Sequence, residues 1–271
     1  MALLEILFLA LIQGIGEFLP ISSSGHVVVG QAVFDQLGYP LHDKLAVNIV
    51  LHLGTLLSIL VFYRRRILEV LGRDRRVIGL VLAASVPAGL VGVLCKPWVE
   101  SAFESPLCVG WMFFFTGAML LWSAGHQTGE LACRELSYAK ALLIGLFQAV
   151  AVLPGISRSG STIVAALGVG LRRDEAATFS FLLAIPAIAG AGLLESLKLR
   201  HESMGSLTPQ ALLIGAAVSF QVGLAALWVL LRWLQGGRLY RFAWWVTPLG
   251  TVVVVWQLLL HTGPAALLPP R

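Results

Sequence analysis

Charge is scarce in this sequence. Only 12% of its 271 residues are Asp, Glu, Lys or Arg, against about 25% in an ordinary soluble domain. That shortage excludes a disordered chain, a coiled coil and almost any soluble globular enzyme. Cysteine is scarce too: Cys95, Cys108 and Cys133 fit neither a metal spacing nor a disulfide framework. Cys95 and Cys108 could pair across one short loop, but two inert buried thiols are the better expectation. A continuous basic patch is also missing. The net charge is +5, yet the basic residues stand in short blocks between apolar stretches, as topology signals do, so nucleic acid is not an expected partner. The apolar run from Ala2 to Ile12 lacks a preceding Lys/Arg block and a cleavage site, so it reads as membrane domain, not as a signal peptide.

Apolar residues are what is abundant, at 58% with a mean hydropathy of +0.86. The expectation is an all-α polytopic membrane protein forming a single integral domain over 1–271, with the bilayer as its first partner. Six stretches, near 45–63, 77–95, 107–124, 176–194, 211–231 and 243–260, reach the roughly 20 residues that cross a bilayer. Two other apolar regions are broken. Ala2 to Gly30 is interrupted by Pro20 and Ser22-Ser23-Ser24-Gly25, and Ala141 to Gly170 by Pro154-Gly155 and Ser157-Arg158-Ser159-Gly160. Irregular backbone at membrane depth survives only inside protein or beside a water-filled cavity. Both regions therefore read as re-entrant hairpins.

Loop charges test this layout. With the Arg64–Arg76 loop cytoplasmic, alternation also puts Arg134, Lys140, Arg172, Arg173, Arg232, Arg238 and Arg241 inside. Lys44, Lys96, Lys198, Arg200 and Arg271 fall outside, and Arg158 lies within the second broken segment. The bias holds only if each broken segment enters and leaves on one face.

A shift of 135 residues superposes the two broken segments: Gln13 on Gln148, Ile21 on Ile156, Ser22 on Ser157, Ser24 on Ser159 and Gly25 on Gly160. Each hairpin is followed by three spans. Three is odd, so the copies (about 1–124 and about 139–262) have opposite orientations. The expected architecture is an inverted-topology repeat, each half a re-entrant helical hairpin plus three transmembrane helices, a plan that brings broken helices together near the midplane.

The copies differ where chemistry would lie. Glu17 aligns with Val152, Ser23 with Arg158, and His26 with Ser161. An ionisable group at the membrane centre costs roughly 2.5–3.5 kcal/mol on insertion scales, so such groups pair and mark function. Arg158 can grip phosphate oxygens in a bidentate fork, with hydroxyls of Ser157, Ser159 and Thr162 beside it, and Gly160 lets a helix start serve as an anion site. Gln13 and Glu17 share a helical face. Glu17 could act as a base, hold a divalent cation or neutralise Arg158. Ser23 and His26 are three apart, so His26 could take a proton from Ser23 or give one to a leaving oxygen. His52, one turn after Asn48, suits a supporting role. No Cys/His cluster or carboxylate cage suggests a tightly held metal, whereas a phosphate-bridged Mg²⁺ or Ca²⁺ needs few protein ligands. Residues alone lead to an intramembrane phosphate-handling site for a lipid.

The motifs match a known family. Gln13-x-x-x-Glu17 followed by Phe18-Leu-Pro-Ile-Ser-Ser-Ser-Gly-His26, together with Pro154-Gly-Ile-Ser-Arg-Ser-Gly-Ser-Thr162 and Phe179-Ser-Phe-Leu-Leu-Ala-Ile-Pro186, resemble the undecaprenyl-pyrophosphate phosphatases, also called bacitracin-resistance proteins. His52-Leu-Gly-Thr55 resembles them too, and the likeness covers essentially the whole chain. It implies hydrolysis of a polyprenyl diphosphate, undecaprenyl diphosphate, to the monophosphate and inorganic phosphate at the outer face of the bacterial inner membrane. That recycles the carrier for cell-wall synthesis and confers bacitracin resistance. A divalent cation, Mg²⁺ or Ca²⁺, is implied as cofactor. Carried over by position, Glu17, Ser23, His26 and Arg158 would be catalytic, with Gln13, Ser22, Ser24, Ser157, Ser159, Gly160 and Thr162 around the phosphates. Whether Ser23 or water attacks stays open, as do prenyl length and oligomeric state. Two positions depart from the pattern: Gln13 stands where an acid is allowed, and Asn48 where relatives often carry one. A flippase built on the same repeat is the rival reading; the other membrane-phosphatase pattern fails because no K-x₆-R-P occurs.

Overall fold

The computed structural model describes residues 2–38, 44–125, 129–199 and 208–262. The described residues form twelve α-helices and no strand. In chain order these are α1 (Ala2–Gly16), α2 (Ser23–Gln36), α3 (Lys44–Phe62), α4 (Arg64–Gly72), α5 (Arg75–Leu94), α6 (Lys96–Phe103), α7 (Pro106–Ser123), α8 (Tyr138–Val150), α9 (Arg158–Gly168), α10 (Arg173–Leu199), α11 (Pro209–Gln235) and α12 (Ala243–Thr262). The protein is an all-α polytopic membrane protein. Five helices are long and apolar enough to cross a bilayer, and α3 makes a sixth if it is joined with α4, from which it is bent by 70°. These six coincide with the stretches expected from sequence.

Helix starts follow local chemistry. Ser105 caps α7 by accepting from Cys108 N at 3.2 Å, and Pro106 occupies its first turn, where a missing N–H costs nothing. Thr208 and Pro209 open α11 in the same manner. Pro87, Pro186 and Pro248 sit inside spans, as helices in lipid tolerate when neighbours satisfy the freed carbonyls.

The Arg64–Arg76 region is more ordered than a loop. α4 lies across the end of α3, with Val70 buried, while Arg66 pairs with Asp74 at 2.8 Å and Glu69 at 3.1 Å. All three cysteines are free, as expected, but Cys95 is exposed rather than buried and Cys108 is half-buried; Cys95 sits at the α5–α6 corner. Arg200 and Arg271 lie outside the described residues, and the side chains of Lys44 and Lys198 are not described.

The two broken segments are pairs of short helices, 15 and 14 residues in α1–α2 and 13 and 11 in α8–α9, with each pair packed on itself. At 1.5 Å per residue none reaches the roughly 30 Å of a hydrocarbon core. Their packing exchanges between halves: α1 lies on α11, and α8 lies on α5. Under the 135-residue correspondence these two contacts are equivalent. α3 with α10, and α7 with α12, pair each span with its own counterpart. A core of Phe18, Phe113, Phe181, Leu227 and Val246 fills the centre, and both hairpin tips end against it.

Candidate active site

Both tips are built by one device, a serine cap on the returning helix. Ser22 Oγ accepts from Gly25 N at 3.3 Å to start α2, and Ser157 Oγ accepts from Gly160 N at 3.1 Å to start α9. The tips then lock together. Ser22 Oγ also accepts from Gly155 N at 3.1 Å, and Ser159 Oγ donates to the Leu19 carbonyl at 3.4 Å. From α7, Thr116 donates to the Gly155 carbonyl at 2.8 Å and accepts from Ser157 N at 3.1 Å. Two glycines make the approach possible. A Cβ on Gly25 would stand 2.9 Å from Gly155 Cα, and Gly155 has φ +95° with the Val109 carbonyl 2.7 Å from any added Cβ. Ser22 holds φ +69°, the one positive value at a non-glycine among the described residues. Such strain persists only where surrounding bonds enforce it.

Glu17 is the centre of the joined tips and only 8% exposed. One carboxylate oxygen forms an ion pair with Arg158 Nη2 of the other hairpin. The other accepts from Gln13 Nε2 at 2.9 Å and from Ser23 Oγ at 3.2 Å. His52 Nε2, from α3, stands 3.7 Å from the same oxygen, and its Nδ1 lies 2.9 Å from the Asn48 carbonyl. Gln13, Ser24, His52 and Arg158 line a cavity of about 1340 Å³. Its wall is mostly apolar along α5 and α10, and at the far end stand Glu5, Lys96, Glu100 and Glu195.

The expected residues thus divide by position. Gln13, Glu17, Ser23 and Arg158 are brought together. Ser22, Ser157, Ser159, Gly160 and Thr162 build the tip junction instead of lining the cavity. Thr162, for example, donates to the Arg158 carbonyl at 2.9 Å and pairs with Ser180. His26 faces away from Glu17. Its Nδ1 is 2.8 Å from the Ser22 carbonyl, and its Nε2 accepts from Trp245 Nε1 at 2.9 Å, with the two rings nearly coplanar and Phe113 edge-on. The carbonyl can only accept and the indole can only donate, so the ring is neutral with its proton on Nδ1. The imidazole beside Glu17 is His52. Sequence reasoning gave it a supporting role, and a His one helical turn after a polar Asn in an apolar span was the signal for more. Thr116 and Trp245 were not anticipated, since nothing local marks them.

The donor set does not fit a protein-held metal. Among the described residues no three His, Cys, Asp or Glu side chains converge, and both oxygens of the one central carboxylate already have partners. The arrangement can bind an anion through Arg158 and can take a proton from Ser23 on Glu17.

Known proteins with this pattern are numerous. The family model of the bacitracin resistance protein BacA matches residues 6–252. An undecaprenyl-diphosphatase of Rhodopirellula baltica is 46% identical over 94% of this chain and 98% of its own length. Undecaprenyl-diphosphatases of Pelotomaculum thermopropionicum and Methanosphaera stadtmanae are 38% and 34% identical, each over at least 94% of this chain and 97% of the relative. With a match running from α1 to α12 and both hairpin motifs inside it, the chain belongs to the BacA bacitracin-resistance family.

Proposed function

We propose that this protein hydrolyses undecaprenyl diphosphate to undecaprenyl phosphate and inorganic phosphate, returning the lipid carrier to cell-wall synthesis and lowering sensitivity to bacitracin. One observation carries the reading: the ion pair of Glu17 and Arg158 joins two hairpins beside a hydroxyl, and Arg158 lines a cavity whose walls are mostly apolar. Phosphoryl transfer asks mainly for positioning and charge neutralisation, and Arg158 serves both. Ser23 is the hydroxyl within hydrogen-bond reach of a base, so it is the proposed nucleophile. Its oxygen attacks the terminal phosphorus, its proton passes to Glu17, and the bond to the bridging oxygen breaks to release the prenyl phosphate. Glu17 gives that proton up with the departing prenyl phosphate, then takes one from the water that attacks the phosphoserine and returns it to Ser23 Oγ as the serine–phosphorus bond breaks and inorganic phosphate leaves. His52 holds Glu17 in place from the third side. His26 enters this scheme as the residue that fixes the Ser22 carbonyl, because both its ring nitrogens are engaged.

Glu17 and Arg158 cancel in charge, whereas a diphosphate brings several negative charges. A divalent cation, Mg²⁺ or Ca²⁺, would offset that charge, and because no side-chain cage converges among the described residues the diphosphate itself would have to bring it. The inverted repeat is part of the same proposal, supported by the exchanged packing of α1 on α11 and α8 on α5. So is the location, a bacterial inner membrane with Arg64–Arg76 cytoplasmic. The groove then opens outward, since Lys96 and Glu100 belong to the opposite end of α5 from that arginine block.

The test is phosphate release from undecaprenyl diphosphate by purified protein in detergent, with Mg²⁺, Ca²⁺ or EDTA. Release that EDTA stops and either cation restores is the expected result. A flippase acting alone would release none.

A further inference from the structure

Gln148 is the most conspicuous polar group that the scheme above leaves unused. It lies near the end of α8, is 2% exposed, and lines the same cavity as Arg158. Neither its Oε1 nor its Nε2 has a hydrogen-bond partner among the described residues. Arg158 Nη1 is in the same state, while Nη2 of that guanidinium is held by Glu17. Buried polar atoms are nearly always partnered, and leaving them bare is costly. Here three bare atoms belong to two residues that line one cavity.

The repeat explains why the amide is bare. Gln13, the counterpart of Gln148 in the first hairpin, gives its Nε2 to Glu17 one turn later. The residue one turn after Gln148 is Val152, which also lines the cavity and accepts nothing. The second hairpin therefore keeps the amide and lacks its partner. A core position would be filled more cheaply by Leu or Met.

We infer that the Gln148 carboxamide and Arg158 Nη1 together form a second phosphate subsite, which holds the phosphate that is not attacked and makes the enzyme select diphosphates over monophosphates. Nε2 donates to an oxygen of that phosphate, and Nη1 donates beside it. The inference rests on the hydrolysis proposed above. It adds a specificity residue on the hairpin opposite Ser23 and Glu17. Because this contact is made in the ground state as well as the transition state, its loss raises KM more than it lowers kcat.

The experiment uses the full-length protein in detergent, as wild type, Gln148→Met, which keeps the shape without the amide, and Gln148→Asn, which withdraws the amide by one methylene. Two readouts are taken: kinetics of phosphate release from polyprenyl diphosphate, and thermal protection by inorganic pyrophosphate against inorganic phosphate. Wild type should be protected better by pyrophosphate. Gln148→Met should unfold no earlier than wild type, lose the preference for pyrophosphate, and raise KM about 10- to 100-fold, the loss of a hydrogen bond to a charged group. Gln148→Asn should fall between, and it carries the test if the Met variant does not fold. An unchanged KM with the pyrophosphate preference retained in a folded variant overturns the inference. So does a lowered melting temperature with unchanged KM, which would make the amide a packing group. If wild type releases no phosphate, hydrolysis fails, while the difference in protection still reports on the subsite.

Discussion

At the scale of single residues the two imidazoles are the most informative pair. His52 Nε2 stands 3.7 Å from Glu17, while His26 is closed off between the Ser22 carbonyl and Trp245. His52→Gln should lower kcat about 100-fold, the cost of a displaced catalytic base, with the melting temperature unchanged. His26→Phe should instead destabilise by about 1 kcal/mol for each hydrogen bond lost, read as an earlier thermal transition. Rate measurements and thermal unfolding on the two purified variants check both. If His26→Phe melts like wild type yet is inactive, the imidazole at 26 is a proton carrier after all. The residue types at the site were legible in the sequence: an acid, a serine and an arginine in broken apolar helices are too costly to be accidental. Which imidazole joins them was not, because the face that α2 presents depends on the positive φ of Ser22, a product of the tip junction and not of local propensity.

At the scale of elements the site is a contact between two helix pairs, and glycine sets how close they come. Gly25→Ala places a methyl 2.9 Å from Gly155 Cα and 2.8 Å from Phe113. The backbone cannot yield as a side-chain end would, so the tips must part. Separating Ser23 and Glu17 from Arg158 by even 1 Å can cost about 100-fold in rate. Gly25→Ala should therefore lose activity by about that factor in an assay of phosphate release. Ser22→Ala, which removes the acceptor shared by Gly25 N and Gly155 N, should destabilise by about 1–3 kcal/mol. Wild-type activity in Gly25→Ala would show that the tips need not touch. Helix breaks were readable from Pro20, Pro154 and the serine runs. Their mutual contact was only inferred through the repeat, and its third member, Thr116 of α7, lies 39 residues from Gly155, beyond any local signal.

At the scale of the whole molecule the six long spans were the most legible feature, since composition and length alone mark them. α4 and α6 were not read as helices, because short amphipathic segments at a membrane surface carry little apolar signal. Sidedness has a native reporter. Cys95 is exposed at the α5–α6 corner, whereas Cys133 is buried and its burial and the neighbouring Glu175 push its thiol well above the usual range, which leaves it unreactive. With the arginine block cytoplasmic, a membrane-impermeant maleimide added to intact cells should label Cys95, and in a Cys108→Ser background Cys95→Ser should abolish the signal. Labelling that requires permeabilised membranes would reverse the orientation and close the groove to the outer face.

The central claim is that Glu17 and Arg158, from opposite hairpins, act as one unit on a lipid diphosphate. The most direct measurement is phosphate release from undecaprenyl diphosphate by purified wild type, Glu17→Gln, Arg158→Ala and the double variant. Wild type should release phosphate, and each single change should cut the rate about 100- to 1,000-fold or more. The double variant should be no worse than the poorer single, since residues that act together are not additive. A wild type that releases nothing, single variants that stay active, or losses that multiply in the double variant would contradict it.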